Sequence, residues 1–198
     1  ESKRPALLIG SGIKSAGAEK IFKRFVNKFK IPVTYTHSSS DIFRYDNELC
    51  IGSVGSQGCT RAGAFVVQNS DYLIILGSRV NSLTTGPDKN KFARKAKIVA
   101  VDIDKNEFKK NNLKVDKLIL SDLKHFLTEM NRFNAKIKWK DWNKKTKNWK
   151  KNLKRFDPSE RERDRIGLYD FSKIISKILT KDSIFICDSG FIDVILPN

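Results

Sequence analysis

Apolar residues along this chain come in two alternating rhythms: short continuous runs, and stripes that recur every three or four positions. Pro5-Ala6-Leu7-Leu8-Ile9 is a continuous run between Arg4 and Gly10, the pattern of a strand buried on both faces. From Ala16 to Phe29, Ala18, Ile21, Phe22, Phe25, Val26 and Phe29 make one apolar stripe and predict a helix. Ile31 to Thr36 reads as a second short strand. Strand, glycine turn, helix, strand is a βαβ unit, which implies a parallel sheet with a right-handed crossover. His37 to Asn47 is polar and reads as a loop. A glycine-rich segment then leads into a predicted helix over Arg61–Asn69 and a strand over Tyr72–Leu76. Asn81 to Asn90, with Gly86-Pro87-Asp88, reads as an exposed loop. Ala96 to Asp104 is a buried strand with an acidic end, and Lys117 to Leu120 a last strand. Asp122 to Met130 is a helix with Leu123, Phe126, Leu127 and Met130 on one face. This alternation makes residues 1–130 one α/β domain with a doubly wound parallel sheet.

The rhythm changes after Met130. Residues 131–165 are dense in lysine and arginine, and Trp139, Trp142, Trp149, Leu153 and Phe156 fall on one stripe at helical spacing. Such a helix either faces a membrane or nucleic acid, or packs its tryptophans on a neighbouring domain as a linker. The second reading is preferred, because another α/β pattern follows directly. In residues 166–198, Tyr169 to Leu179 predicts a helix with Phe171, Ile174, Ile175, Ile178 and Leu179 inward. Ser183 to Cys187 predicts a buried strand that ends in Asp188-Ser189-Gly190.

Composition narrows these readings. The 198 residues carry a formal net charge of +17, with lysine dominant and spread along the whole chain. Lysine bias accounts for that charge without a nucleic-acid partner, and no RNA-binding strand motif accompanies it. No apolar run reaches the roughly 20 residues of a membrane span. Cys50, Cys59 and Cys187 are odd in number and form no CxxC pair, which fits a reducing cytoplasm and no zinc site. His37 and His125 lack metal-ligand spacing. The chain opens on Glu1 and stops at Pro197-Asn198 after a predicted strand, so both ends read as cut from something longer.

The candidate chemistry sits at the predicted strand tips. Gly10-Ser11-Gly12 follows the first strand, Gly55-Ser56-Gln57-Gly58 precedes a helix, and Gly77-Ser78-Arg79 follows the third predicted strand. Glycine amides suit a phosphate, and Arg79 either neutralises charge or makes an ion pair. Asp102 and Asp104 either receive a ribose hydroxyl or cap the following turn.

The order and spacing of Pro5–Gly12, Gly52–Gln68, Asn69–Arg79, Phe92–Asp104, Ser121-Asp122 and Tyr169–Gly190 resemble the thiamine-diphosphate-dependent enzymes of the acetolactate synthase and pyruvate oxidase type. The resemblance is to their central domain, a Rossmann-like (DHS-like) nucleotide-binding fold, and to the start of their C-terminal thiamine-diphosphate-binding domain. It implies a scaffold piece of a 2-keto acid decarboxylase or carboligase, homodimeric or homotetrameric in the parent. It also implies that missing N- and C-terminal domains supply the activating glutamate and the Mg2+ motif, so this piece is not catalytic alone. By the same resemblance, Gly10, Ser11, Gly12, Gly55–Gly58, Gly77, Ser78, Arg79, Asp102, Asp104 and Asp122 would line an FAD or ADP site. Asp188, Ser189 and Gly190 would face the thiamine diphosphate. FAD-binding members carry an acidic and basic pair where this chain has Asn81, Ser82 and Leu83, which counts against FAD. The alternative is a free-standing nucleotide-binding module for FAD, ADP or NAD, or a purely structural one.

Overall fold

The apolar runs assemble as parallel strands, because the central ones are buried on both faces and can only be covered by helices from above and below. A computed structural model describes residues 2–56, 59–110, 113–134, 139–153, 165–180, 182–188, 190, 192, 195 and 196. Its elements are β1 (Pro5–Ile9), α1 (Gly12–Ser15), α2 (Glu19–Phe29), β2 (Val33–Tyr35), β3 (Cys50–Ser53), α3 (Arg61–Asn69) and β4 (Tyr72–Leu76). They continue with α4 (Ser82–Thr85), β5 (Lys97–Asp102), α5 (Glu107–Lys110), β6 (Lys117–Leu120), α6 (Leu123–Arg132), α7 (Lys140–Asn152) and α8 (Leu168–Ile178). The strands form one six-stranded sheet in the order β3-β2-β1-β4-β5-β6. Every pairing is parallel.

Alternation along each strand divides the core. Leu7 and Ile9 of β1 face one layer with Val33, Tyr35 and the apolar stripes of α2 and α6. Ala6 and Leu8 face the opposite layer with Ile51, Leu73, Ile75, Ile98 and the apolar side of α3. A sheet covered on both sides is what the sequence pattern predicts.

Four expectations need correction. The helix expected from Ala16 starts at Glu19, because Gly17 at φ 57° and the non-helical Ala18 break it from α1. Gly52 and Ser53, read as the start of the glycine segment, belong to the strand β3 (Cys50–Ser53) at the sheet edge. The polar stretch after β2 carries an apolar plug, with Ile42 and Phe43 buried and Phe43 edge-on to Phe22 at 5.8 Å. Finally, Ser183–Cys187 is not a buried strand: Ile184 and Ile186 are 87% and 88% exposed. No strand among the described residues lies beside it, and an apolar run without a neighbour has nothing to pair with.

The basic stretch after Met130 folds back on the unit that precedes it. Trp142 is 4% exposed and donates its Nε1–H to the Pro5 carbonyl at 2.9 Å. Trp149 meets Trp142 and Phe65 edge-on at 5.5 and 5.6 Å. Trp139 Nε1 and Asn143 Nδ2 both donate to the carbonyl of Lys30, the left-handed residue that ends α2. Lys147 pairs with Glu48 at 2.7 Å, and Lys150 donates to the Tyr45 and Asn47 carbonyls. Leu153 packs on the same layer, and Phe156 lies outside the described residues. The tryptophan stripe is therefore core for the α/β unit, and Lys140, Lys144, Lys145 and Lys151 occupy the outer side of α7.

The start of the chain is tied down by one carboxylate. Asp71 accepts from Ser2 Oγ at 2.6 Å, from the Lys3 amide at 2.8 Å and from the Arg4 amide at 2.9 Å. Burial pushes its pKa up, but these hydrogen bonds outweigh burial and hold it below the usual carboxylate value. A depressed pKa contributes stability above the unfolded value, about 3.9, and loses it as pH falls through the folded value. We expect Asp71→Asn to lower stability at pH 7, with the deficit shrinking as pH falls from about 3.9 to about 2. Urea titrations of both proteins at neutral pH and at the acid end of that range measure this, and an equal deficit at both would refute it.

Candidate functional site

In a doubly wound sheet, ligands bind beyond the carboxyl ends of the strands where the strand order reverses. Here the reversal lies between β1 and β4: the chain runs outward from β1 to β2 and β3, then returns to place β4 on the other side of β1. A cleft of about 760 Å³ opens at that point.

The structure brings most of the predicted residues together there. Gly10, Ser11 and Gly12, the tip Gly77-Ser78-Arg79, Gly55 and Ser56, and Asp102, Asp104 and Asp122 all line the cleft. Gln57 and Gly58 lie outside the described residues. The reason for the glycines differs from the expected one. A Cβ on Gly10 would stand 2.3 Å from the Gly77 carbonyl oxygen, and one on Gly12 would stand 2.7 Å from Gly77 Cα. The tips after β1 and β4 cross in van der Waals contact, and only glycine permits it. Their amides are engaged in the crossing: Gly10 N–H donates to Leu76, Gly12 N–H to Gly77 and Gly77 N–H to Val101, at 3.0, 3.0 and 3.1 Å.

The glycine segment before α3 behaves similarly. Ser56 N–H donates to the Leu83 carbonyl at 2.6 Å, joining this loop to the segment after β4. Thr60 caps α3 by accepting from the Gly63 amide, and its own hydroxyl donates to the Ser53 carbonyl. The small residues of α3 serve packing, since a Cβ on Gly63 would meet the Ser53 carbonyl at 2.3 Å.

The charged residues also have partners. Arg79 reaches Glu107 of α5 at 3.7 Å, an ion pair within the domain. Asp102 accepts from the Asp104 amide at 3.0 Å, and Asp104 from the Asn106 amide at 2.8 Å. Asp122 caps α6 through the His125 amide at 3.0 Å. Val80, next to Arg79, is buried with φ 47°, a rare conformation for a β-branched residue.

Sequence reasoning missed several residues of the cleft. Thr36, His37 and Ser38 lie at the carboxyl end of β2, where the rule about strand ends would have placed them. Glu107 and the exposed apolar residues Leu83 and Ile103 carry no signal by themselves. Cys59 borders the cleft, while Cys50 is buried and Cys187 exposed. His125 is on the exposed side of α6. Asp188 and Gly190 are not part of the cleft, and Ser189 lies outside the described residues. Among the described residues, no three His, Cys, Asp or Glu side chains gather into a metal-holding group. No described helix is long and apolar enough to cross a membrane.

An all-parallel sheet of this order, with helices on both faces and a cleft at the reversal, defines a doubly wound, Rossmann-like α/β domain. Residues 1–130 match the family described as thiamine pyrophosphate enzyme, central domain. The chain belongs to the thiamine pyrophosphate enzyme family through that domain. It is similar to the acetolactate synthase large subunit of Lactococcus lactis subsp. lactis (strain IL1403), with 33% identity over 190 residues, covering 96% of this chain and 32% of that protein. It is 38% identical over 130 residues to the probable acetolactate synthase large subunit of Methanocaldococcus jannaschii, covering 66% of this chain and 22% of the relative. The acetolactate synthase large subunit of Porphyra purpurea is 40% identical over 113 residues, 57% of this chain and 19% of that protein. The chain thus spans between a fifth and a third of the length of these relatives.

Proposed function

We propose that this chain is the central scaffold segment of a thiamine-diphosphate-dependent decarboxylase or carboligase acting on a 2-keto acid, as in acetolactate synthase. The observation that carries the reading is the similarity to the Lactococcus lactis large subunit, which runs over 96% of the chain and so continues past the α/β domain into α7 and α8. Thiamine diphosphate, when bound, supplies the electron sink for decarboxylating a 2-keto acid. The described residues do not hold it by themselves. At Gly190 a Cβ would meet nothing within 4 Å, and Ile184 and Ile186 beside it are exposed. A diphosphate cradle and its Mg2+ ligands would come from other parts of the parent. This segment's own contribution is rigidity: a two-layered core that spaces the parts before and after it, in a parent that works as a homodimer or homotetramer in the cytoplasm.

The test compares the full-length gene product with the 198-residue chain. Each is incubated with thiamine diphosphate, Mg2+ and a panel of 2-keto acids, and carbon dioxide release is followed. The full-length protein is expected to turn over at least one 2-keto acid only when the cofactor is present, and the segment none. Cofactor-independent silence of the full-length protein on the whole panel would sink the proposal. So would turnover by the segment alone. Micromolar binding of NAD by such a silent protein would favour the nucleotide-module reading instead.

A further inference from the structure

The cleft sits where a dinucleotide binds in doubly wound sheets, yet its chemistry disagrees with a pyrophosphate. An anion in such a cleft needs free N–H donors or cations. The amides of Gly10, Gly12 and Gly77 donate to main-chain carbonyls, and that of Ser56 donates to Leu83. The start of α3 is closed by Thr60. Among the described lining residues the charged side chains are one guanidinium, Arg79, and four carboxylates: Asp102, Asp104, Glu107 and Asp122. Arg79 is engaged with Glu107, and its side chain is 78% exposed. An acidic cleft in a chain of net charge +17 is a local arrangement, not a reflection of composition.

We infer that the acidic lining of the cleft, four carboxylates against one engaged guanidinium, disfavours a pyrophosphate, so that the protein does not retain FAD or ADP as a resident ligand. Each phosphate added to a nucleoside brings negative charge toward the four carboxylates. Affinity therefore falls from adenosine to AMP to ADP, the reverse of a pyrophosphate site. The inference is about this domain and is independent of whether the parent decarboxylates a keto acid, so the two can fail separately.

The experiment uses the full-length protein. Flavin content is read from absorbance near 450 nm after heat release, and adenosine, AMP, ADP and FAD are titrated by calorimetry. The expected result is no flavin at stoichiometric level, with ADP and FAD binding no tighter than adenosine. Absence of binding by all four also supports the inference. One flavin per protomer, or ADP or FAD bound tenfold tighter than adenosine, overturns it. Glu107→Gln removes the carboxylate that holds Arg79, and should improve ADP binding relative to adenosine by roughly two- to fivefold, the size expected of an exposed charge pair. An unchanged ratio in that variant, with measurable binding of both ligands, overturns the electrostatic argument.

Discussion

Replacing Trp142 with alanine should lower the free energy of unfolding by about 3–5 kcal/mol, as large-to-small changes at buried aromatic positions do. Trp142 is buried between the layer of α3 and the amino end of β1, and it gives its N–H to the Pro5 carbonyl. The substitution removes the ring, leaves a cavity and takes away the edge-on contact with Trp149. Trp142→Phe keeps most of the apolar volume and loses the donor, so a smaller cost of roughly 1–3 kcal/mol is expected. Urea unfolding followed by circular dichroism separates the two, provided the slope against denaturant is unchanged. A loss below about 1 kcal/mol for the alanine variant would mean that α7 lies on the domain without supporting it. The family match ends at residue 130, so this result bears on how much sequence the folding unit needs.

The second large effect is expected at Gly10. In Gly10→Ala the new methyl carbon would lie 2.3 Å from the Gly77 oxygen and 2.7 Å from Ser78 Cα. Both are atoms of the main chain, so no rotamer change relieves the clash. The tips of β1 and β4 must separate, and they anchor the two central strands of the sheet. A cost at or above the upper end of the usual 1–3 kcal/mol for overpacking follows. Gly167→Ala is the control: its Cβ would meet Asp170 at an ordinary 3.6 Å, and a change within about 0.5 kcal/mol is expected. If thermal unfolding finds Gly10→Ala as stable as the parent, the crossing has slack and the tips are not held in contact.

Much of the fold can be read from periodicity, and the failures have physical causes. The stripes of α2, α3 and α6 and the runs of β1, β4, β5 and β6 are visible because burial on one or both sides writes a clear pattern. Cys50-Ile51-Gly52-Ser53 escapes because its small residues, needed where Thr60 and Gly63 press on the strand, look like a loop. Ser183–Cys187 misleads in the opposite direction, since an apolar run signals a strand whether or not a neighbour exists to pair with it. The cleft is legible as a set of strand tips. What the letters do not reveal is that the glycine amides face carbonyls and that Glu107, at the start of α5, reaches Arg79.

The contact between Trp142 and Pro5 joins residues 137 apart in sequence. A sheet built from β1 onward therefore waits, with part of its α3-side layer uncovered, until 137 further residues have been made. Closing such a long loop is slow, and the partly built state shows the sticky surface on which aggregation starts. Folding of this protein should thus be limited by the arrival of α7, and chains released early should depend on chaperones.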